Sequence, residues 1–167
     1  MNSGEQDALR RSLNQYGNLF IRSNKAISII EKIRAKADSF VDEMVSAIDT
    51  FGIPSKVRGH EEYTEGDILL VHSDGANSSK TSYISRDVVT KNAHLIDKYK
   101  VRISILVPQN GEAGVKPEKG YRSMSTPHLV YPGQVDSFSY LNIGFFDNET
   151  EAENFRKYMM CKLPRFM

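Results

Sequence analysis

The chain is poor in the residues that stabilise secreted or zinc-dependent folds. Cys161 is the single cysteine among 167 residues, and there is no tryptophan. One cysteine cannot form an intramolecular disulfide or a cysteine-rich zinc site, which suits a reducing compartment. No stretch approaches the roughly 18 apolar residues of a membrane span, and the N-terminus has no apolar signal segment. We therefore expect a cytoplasmic protein without a membrane partner.

Catalytic and metal-binding motifs are also missing. The four histidines lie far apart and show neither the HxxxH nor the HExxH spacing of a zinc site. The stretch "HSDG" (72–75) contains His, Ser and Asp, the residue types of a catalytic triad. Adjacent residues in one turn cannot adopt triad geometry, which brings together side chains from distant parts of a chain. No glycine-rich phosphate or cofactor loop follows a strand, and "KPEKG" (116–120) lacks the upstream acidic strand of a nuclease. The chain by itself is predicted to be non-catalytic, with no metal and no cofactor of its own.

Positive and negative charges nearly balance in number but are unevenly distributed along the chain. The formal net charge is +1, yet residues 80–122 carry nine basic and four acidic side chains, so this segment is +5 and the remainder −4. The same segment is rich in serine, threonine, asparagine, glutamine and tyrosine, which contact phosphates and base edges in DNA complexes. Composition alone leaves two interpretations open: an ordinary solvated surface, or a local nucleic-acid contact.

The order of periodic segments predicts an α+β fold with helices first. A helical period begins at Asn24, with apolar residues at Ala26, Ile29, Ile30, Ile33 and Ala37. A second short helix is expected from Ser39 until Phe51, Gly52 and Pro54 interrupt it. Residues 1–21 are interpreted as a leader or a cloning remnant, and residues 22–167 as one domain.

Strand patterns fill the middle of the chain and predict a central mixed β-sheet. They occur at "DILLVHS" (67–73), "KVRISILVP" (100–108) and "FSYLNIGFF" (138–146). In the second of these, Val101 and Ile103 are expected on one face, with Arg102 and Ser104 on the other. Ser85 could cap a short helix. Residues 108–134 hold four of the six prolines and four of the eleven glycines, which predicts a long loop.

A strand–helix unit is predicted to close the chain. The final helix has two possible starts, Asn148 as N-cap or a capping box from Thr150 to Glu153. Its apolar stripe is predicted to contain Ala152, Phe155, Met159 and Leu163.

Four stretches resemble one known family in order and spacing. They are "AISIIEKI" continued by "SFVDEMVSAIDTFGIPSKVRG" (26–59), "SYISRDVVTKNAHLIDKYKVRISILVP" (82–108) and "SYLNIGFFDNETEAENFRKYMMCKLPRFM" (139–167). Together they resemble the C-terminal target-recognition, or specificity, domain of adenine-specific DNA methyltransferases from restriction–modification systems, including fused methylase-endonucleases. The likeness spans residues 22 to 167.

The chain departs from the family pattern at a few positions. It has Thr50 before the Phe-Gly turn, where the family usually has an aromatic residue or proline, and Asp136 and Ser137 where the family often has Cys-Thr. The catalytic Asn-Pro-Pro-aromatic motif and the methyl-donor motif are absent from this sequence. The resemblance therefore implies a module of a larger methyltransferase or restriction enzyme, whose catalytic domain would bind S-adenosylmethionine.

The resemblance implies double-stranded DNA and the parent catalytic methyltransferase domain as partners. On this hypothesis the module reads a short duplex site, and the catalytic domain flips the adenine out of the stack. Phosphate clamps are predicted at Lys91, Lys100, Lys116 and Lys119. The guanidinium fork matches guanine, so Arg122 and Arg86 are the predicted guanine readers. The remaining candidate DNA contacts are Arg102, Gln109, Asn110 and Ser123.

An alternative function belongs to a different class. The chain would then be a protein-interaction module that docks methylase and nuclease parts without touching DNA, with the apolar C-terminal ending as its interface. Salt separates the two hypotheses, because phosphate contacts weaken steeply with ionic strength and an apolar interface does not.

Overall fold

A computed structural model describes residues 24–74, 78–105 and 124–161. The chain divides into two compact units, residues 1–40 with Met167 and residues 41–166. In the described part of the first unit, α1 spans Asn24–Arg34, and Lys32 and Arg34 lie in its last turn, where cations complement the helix dipole. Ala26 and Ile30 are buried as predicted, whereas Ile29 is 38% exposed.

The second unit contains two β-sheets, and the first has three strands. Strand β1 spans Asp67–Ser73 and pairs antiparallel with β2, Ser79–Ser85. A third strand, β5, spans Gln134–Asp136 and pairs with β1 in parallel. The strand order of this sheet, which we call the first sheet, is β2-β1-β5. Strand β1 confirms the predicted limits 67–73, but β2 and β5 lie in segments whose patterns did not predict strands.

One face of the first sheet covers an apolar core. The core consists of buried side chains from the strands and from the segments around them: Phe51, Ile53, Ile68, Leu70, Ile84, Val89, Ile96 and Val135. The Phe-Gly turn enters this core at a position that requires glycine. Gly52 has φ +69°, and a Cβ there would lie 2.0 Å from Thr90 Oγ1.

The other three strands form the second sheet. Strand β3 spans Tyr99–Ser104, β4 spans His128–Val130 and β6 spans Tyr140–Phe146. All pairings are antiparallel, in the order β4-β3-β6. The register of β6 slips at a bulge opposite Lys100 and Arg102, where Gly144 adopts φ +83°. The alternation of side chains along β6 is therefore interrupted.

A C-terminal helix packs on the second sheet. Helix α2 spans Glu149–Met160, and the Asn148 side chain accepts a hydrogen bond from the Glu151 backbone N–H. This geometry selects Asn148 over the alternative Thr150 start. Ala152 and Met159 are buried, and the Phe155 ring lies 5.4 Å from the Phe146 ring between centroids.

The α+β class is confirmed, with the strands divided between two sheets. The helix expected from Ser39 is only a 3₁₀ turn, Val41–Met44. Ser85 does precede a 3₁₀ turn, Arg86–Val88, but its side chain makes no capping hydrogen bond. The predicted loop 108–134 contains β4, and its residues 108–123 lie outside the described ranges. No helix in the described part of the chain has the length and apolar character needed to cross a membrane.

Candidate functional site

A buried polar cluster links the two sheets and is centred on Asn142 of β6. Asn142 Nδ2 donates to both carboxylate oxygens of Asp136 at 3.1 Å and lies 3.3 Å from the Thr50 hydroxyl oxygen. Asn142 is fully buried, and Asp136 and Thr50 are 2% and 3% exposed. A buried carboxylate is costly unless it is hydrogen bonded, and the Asn142 amide supplies hydrogen bonds to both Asp136 oxygens.

Lys100 of β3 belongs to the same interior. It is fully buried, and its Nζ donates to the carbonyl oxygens of Leu95, Ile96 and Lys98 at 3.3, 2.9 and 2.8 Å. An ammonium group has three protons, so its donors are all used. Burial lowers the pKa of Lys100 to about 8, against the opposing effect of Asp136 and Asp97. The prediction of Lys100 as a phosphate clamp is wrong, because its ammonium group anchors a turn inside the fold.

Arg102 is also directed inward. It is the cross-strand partner of Asn142, and its guanidinium carbon lies 4.7 Å from the centre of the Tyr140 ring. Its Nη1 atom is buried without a hydrogen-bond partner among the described residues. Burial lowers the pKa of Arg102, and the nearby Asp136 opposes that shift. Arg102 keeps part of its surface exposed, so its assignment to the DNA contact surface stays a prediction, with its guanidinium stacked over Tyr140.

Asp136 is the acidic group beside the buried Lys100 and the partly buried Arg102. Burial raises its pKa to about 6, although Arg102, the Asn142 hydrogen bond and Lys100 each lower it. Its neighbour Ser137 is 1% exposed. A group that solvent cannot reach does not meet a substrate, so the role of the cluster is to hold the two sheets together. The described residues contain no group of three histidine, cysteine or acidic side chains arranged to hold a metal ion.

Thr50 and Asp136 both accept hydrogen bonds from the Asn142 amide although they lie far apart in the sequence. Their adjacency could not be predicted from the sequence, because it depends on how distant segments pack. Ser137, which follows Asp136, is buried as well.

The long connection between β3 and β4 is pinned where it leaves and re-enters the sheet. Ser104, the last residue of β3, donates its backbone N–H to Ser125 Oγ at 2.8 Å, and that hydroxyl donates to the Ser104 carbonyl at 3.1 Å. Ser125 is 9% exposed and Pro127 is fully buried. The two ends of the segment between β3 and β4 are thus held together, at a point two residues along β3 from Arg102.

Two of the predicted DNA contacts lie on the surface in ion pairs. The Arg86 terminal nitrogens donate to the Asp97 carboxylate oxygens at 3.0 and 2.5 Å. Lys91 Nζ lies 2.8 Å from Asp49 Oδ2. Their side chains are 48% and 57% exposed. Arg86 would have to release Asp97 before it could bind guanine. Its role as a guanine reader stays a prediction, and Asp97 would compete with the DNA for its guanidinium.

The other predicted contacts fall within 106–123, outside the described residues. They are Gln109, Asn110, Lys116, Lys119, Arg122 and Ser123. The structure thus brings Lys100 and Arg102 together, places Arg86 and Lys91 on the surface, and leaves these six as predictions.

A second group of cations escaped the sequence reasoning. Lys56 and Arg58 are exposed on the segment that leads to His60, whose backbone bridges to Tyr83 of β2. They lie outside the basic stretch 80–122, so counting charge along the chain did not find them. The available signal was the alternation of "KVR", in which Val57 packs against the core and its two neighbours point away.

Comparison with known proteins found no relative: no family model, no curated protein and no solved structure matched the chain.

Proposed function

We propose that this chain is a sequence-specific DNA-binding target-recognition domain of a restriction–modification adenine methyltransferase or methylase-endonuclease. The observation that carries the proposal is the β3–β4 connection, residues 105–127, which the Ser104–Ser125 hydrogen bonds pin to a sheet. Binding residues concentrate on chain segments whose ends are held by a rigid scaffold. The family resemblance supports the same conclusion from the sequence.

The chemistry of the connection suits DNA. Its residues include Lys116, Lys119 and Arg122 as cations, with Gln109 and Asn110 as amides that hydrogen-bond to base edges. Lysines would clamp phosphates, whereas the planar fork of arginine would read the two acceptors of guanine. The buried cluster of Lys100, Arg102, Asp136 and Asn142 would serve this function indirectly, by fixing the sheet from which the connection starts.

The reaction itself belongs to the parent catalytic domain in this proposal. That domain would bind S-adenosylmethionine and the extruded adenine, because the exocyclic amine cannot be reached in the stacked duplex. The present chain would set the register on the duplex and deliver the correct base.

The proposal is tested by titrating the purified chain against a pool of random duplexes at two salt concentrations and sequencing the retained DNA. We expect retention of one short motif, with affinity that falls as salt rises, because phosphate contacts release counterions. An Arg122→Ala variant should relax one position of that motif by about 1–3 kcal/mol of discrimination. A Lys157→Ala variant, with a cation removed from α2, is the matched control and should keep the motif. Absence of any retention at low salt would contradict the proposal.

A protein-docking function is the second candidate, and exposed apolar side chains favour it. Met44, Val45 and Ile48 are 37%, 36% and 54% exposed on one short segment. Apolar patches of this kind occur at protein interfaces. An Ile48→Asp variant separates the candidates: it should leave DNA retention unchanged if the chain reads DNA, and should abolish binding to the catalytic part if the chain only docks. Binding to that part that is insensitive to salt, without DNA retention, would favour docking.

A further inference from the structure

A histidine and an arginine face each other where the pairing of β3 with β4 ends. The antiparallel register runs from Lys100 opposite Val130 to Arg102 opposite His128. Residues directly opposite each other in an antiparallel ladder project from the same face of the sheet, with Cβ atoms about 4.5–5.5 Å apart. The two side chains are therefore neighbours, and we call Arg102 and His128 the cross-strand pair.

The cross-strand pair lies at the base of the β3–β4 connection. Arg102 comes two residues before Ser104 and His128 three residues after Ser125, and these two serines exchange hydrogen bonds of 2.8 and 3.1 Å. Pro127, which precedes His128, is fully buried, so β4 begins at a fixed point. The pair is therefore held in place beside the segment that carries the predicted DNA contacts.

The two members of the pair differ in exposure. His128 is exposed on β4, which is an outer strand of the second sheet. Arg102 is partly exposed, and the Tyr140 ring orients its guanidinium, whose carbon lies 4.7 Å from the ring centre. Within the described residues Arg102 forms no salt bridge, whereas Arg86 and Lys91 each have a carboxylate partner. The positive charge of Arg102 therefore acts on its cross-strand neighbour without a directly paired carboxylate.

The surroundings of His128 disfavour its protonated form. Partial burial first, and then the cations Arg102 and Arg156, lower the pKa of His128. Arg156 of α2 is paired with Glu153 through hydrogen bonds of 2.6 and 2.7 Å, and Asp136 partly offsets Arg102 from the interior. Of these charges, Arg102 is the one directly across the ladder. An anion bound beside the pair would relieve the repulsion and favour a protonated His128.

We propose that His128 donates a hydrogen bond to a phosphate of duplex DNA and that Arg102 supplies the adjacent positive charge. The inference rests on the proposed function and assigns to it a phosphate contact outside the connection 105–127. Protonated imidazole forms a charge-assisted hydrogen bond with a phosphate oxygen, and such contacts position a duplex without reading its sequence. Because protonation of His128 and binding of the phosphate favour each other, the contact strengthens as the pH falls.

The test measures how pH changes the affinity of the full chain for a random-sequence duplex. Wild type, His128→Gln and His94→Gln are compared by fluorescence anisotropy at low salt. His94, an exposed histidine in the 3₁₀ turn Ala93–Leu95, provides the matched control. The affinity ratio of wild type to His128→Gln should rise about tenfold from about pH 7.5 to about pH 5.5, which corresponds to a rise of about one unit in the pKa of His128 on binding. The ratio of wild type to His94→Gln should stay flat.

An NMR titration of the imidazole protons reads the same coupling in the wild type. Addition of the duplex should raise the pKa of His128 and change that of His94 less. In the free protein, Arg102→Gln should raise the pKa of His128, because it removes the cation across the ladder.

The outcomes separate the contact from the function. If the wild type binds the duplex and the ratio to His128→Gln stays flat with pH, the phosphate contact is overturned and the recognition function remains. An unchanged pKa of His128 in the complex would overturn the contact as well, and this measurement needs no variant. A stronger pH-linked response with an RNA duplex would overturn the assignment to DNA. If the wild type does not bind at low salt at any of these pH values, the proposed function fails together with the contact. Thermal unfolding checks that each variant is folded.

Discussion

The two sheets have the same number of strands, but the first buries apolar side chains and the second also buries polar ones. The inner face of the first sheet is apolar, with Leu70 and Val135 fully buried. The second sheet buries Lys100 and Asn142 at positions where an alternating strand would normally meet water. Apolar side chains tolerate rearrangement, whereas a buried polar group that loses its hydrogen-bond partner destabilises the fold. The first sheet therefore supplies bulk stability, and the second fixes one geometry for the connection that leaves β3.

The first prediction attacks the apolar interior and has the largest expected effect. Phe51→Ala should lower the free energy of unfolding by about 3–5 kcal/mol, because it removes a fully buried ring and leaves a cavity. Phe138, which is 47% exposed, is the matched control, and Phe138→Ala should cost far less. Urea denaturation measures both. Equal effects would mean that the apolar core does not dominate the first sheet.

The second prediction attacks the polar interior. Lys100→Met should lower the free energy of unfolding by about 3 kcal/mol, since three carbonyl oxygens lose a charged donor and stay buried. Lys98→Met is the matched control, because Lys98 pairs with Asp147 at the surface and should contribute less than about 1 kcal/mol. The difference between the two variants, measured by urea denaturation, reports the burial of Lys100.

Lys100 also predicts a pH effect at the alkaline end. Its pKa is about 8 in the folded state against 10.5 in the unfolded state, so the unfolded chain binds more protons over this window. Stability of the wild type relative to Lys100→Met should therefore rise from pH 8 to pH 10.5. A flat difference would contradict the burial of the ammonium group.

The third prediction uses the buried carboxylate. The pKa of Asp136 is about 6 in the folded state against 3.8 in the unfolded state, so the folded chain binds more protons between these values. Wild-type stability from this group is greatest below pH 4 and is lost as the pH rises through 6, by about 3 kcal/mol at most. Asp136→Asn lacks that loss, so its stability relative to wild type should increase from pH 4 to pH 7. Parallel pH profiles in urea denaturation would show that Asp136 is accessible to water.

The smallest effect is expected at a surface pair outside both interiors. Arg86 and Asp97 are 48% and 60% exposed, so Arg86→Met should lower the free energy of unfolding by less than about 1 kcal/mol. The effect should shrink at high salt, because exposed pairs are screened. A loss that persists in about 1 M salt would mean that Arg86 has a structural role like that of Lys100.

Much of the fold was predictable because its signals are local. The period of α1, the Asn148 cap of α2 and the apolar run of β1 each involve neighbours within a few residues. Strands β4 and β5 have three residues each, which is too short for a period to be recognised. Strand β2, "SKTSYIS", is mostly polar because it lies at a sheet edge, so its pattern resembled a turn.

The candidate site was less predictable, because basic residues of one type have different roles here. Lys91 is on the surface, Lys100 is fully buried, and both look alike in a charge count. Alternation along β3 correctly placed Arg102 opposite Val101, but an alternating pattern does not tell whether the polar face meets water. That depends on which segment packs against it, and here Asp136 and Tyr140 do.

The sequence by itself determined the α+β class, helices α1 and α2, and the approximate positions of β1, β3 and β6, since these follow from periodicity and capping over short distances. Tertiary structure alone decided that the strands form two sheets and that Lys100 is buried while Lys91 stays exposed. The physical reason is that the environment of a charge is set by chain segments distant in sequence. Asn142 shows this directly, because its amide joins Thr50 to Asp136 across 92 residues on one side and 6 on the other.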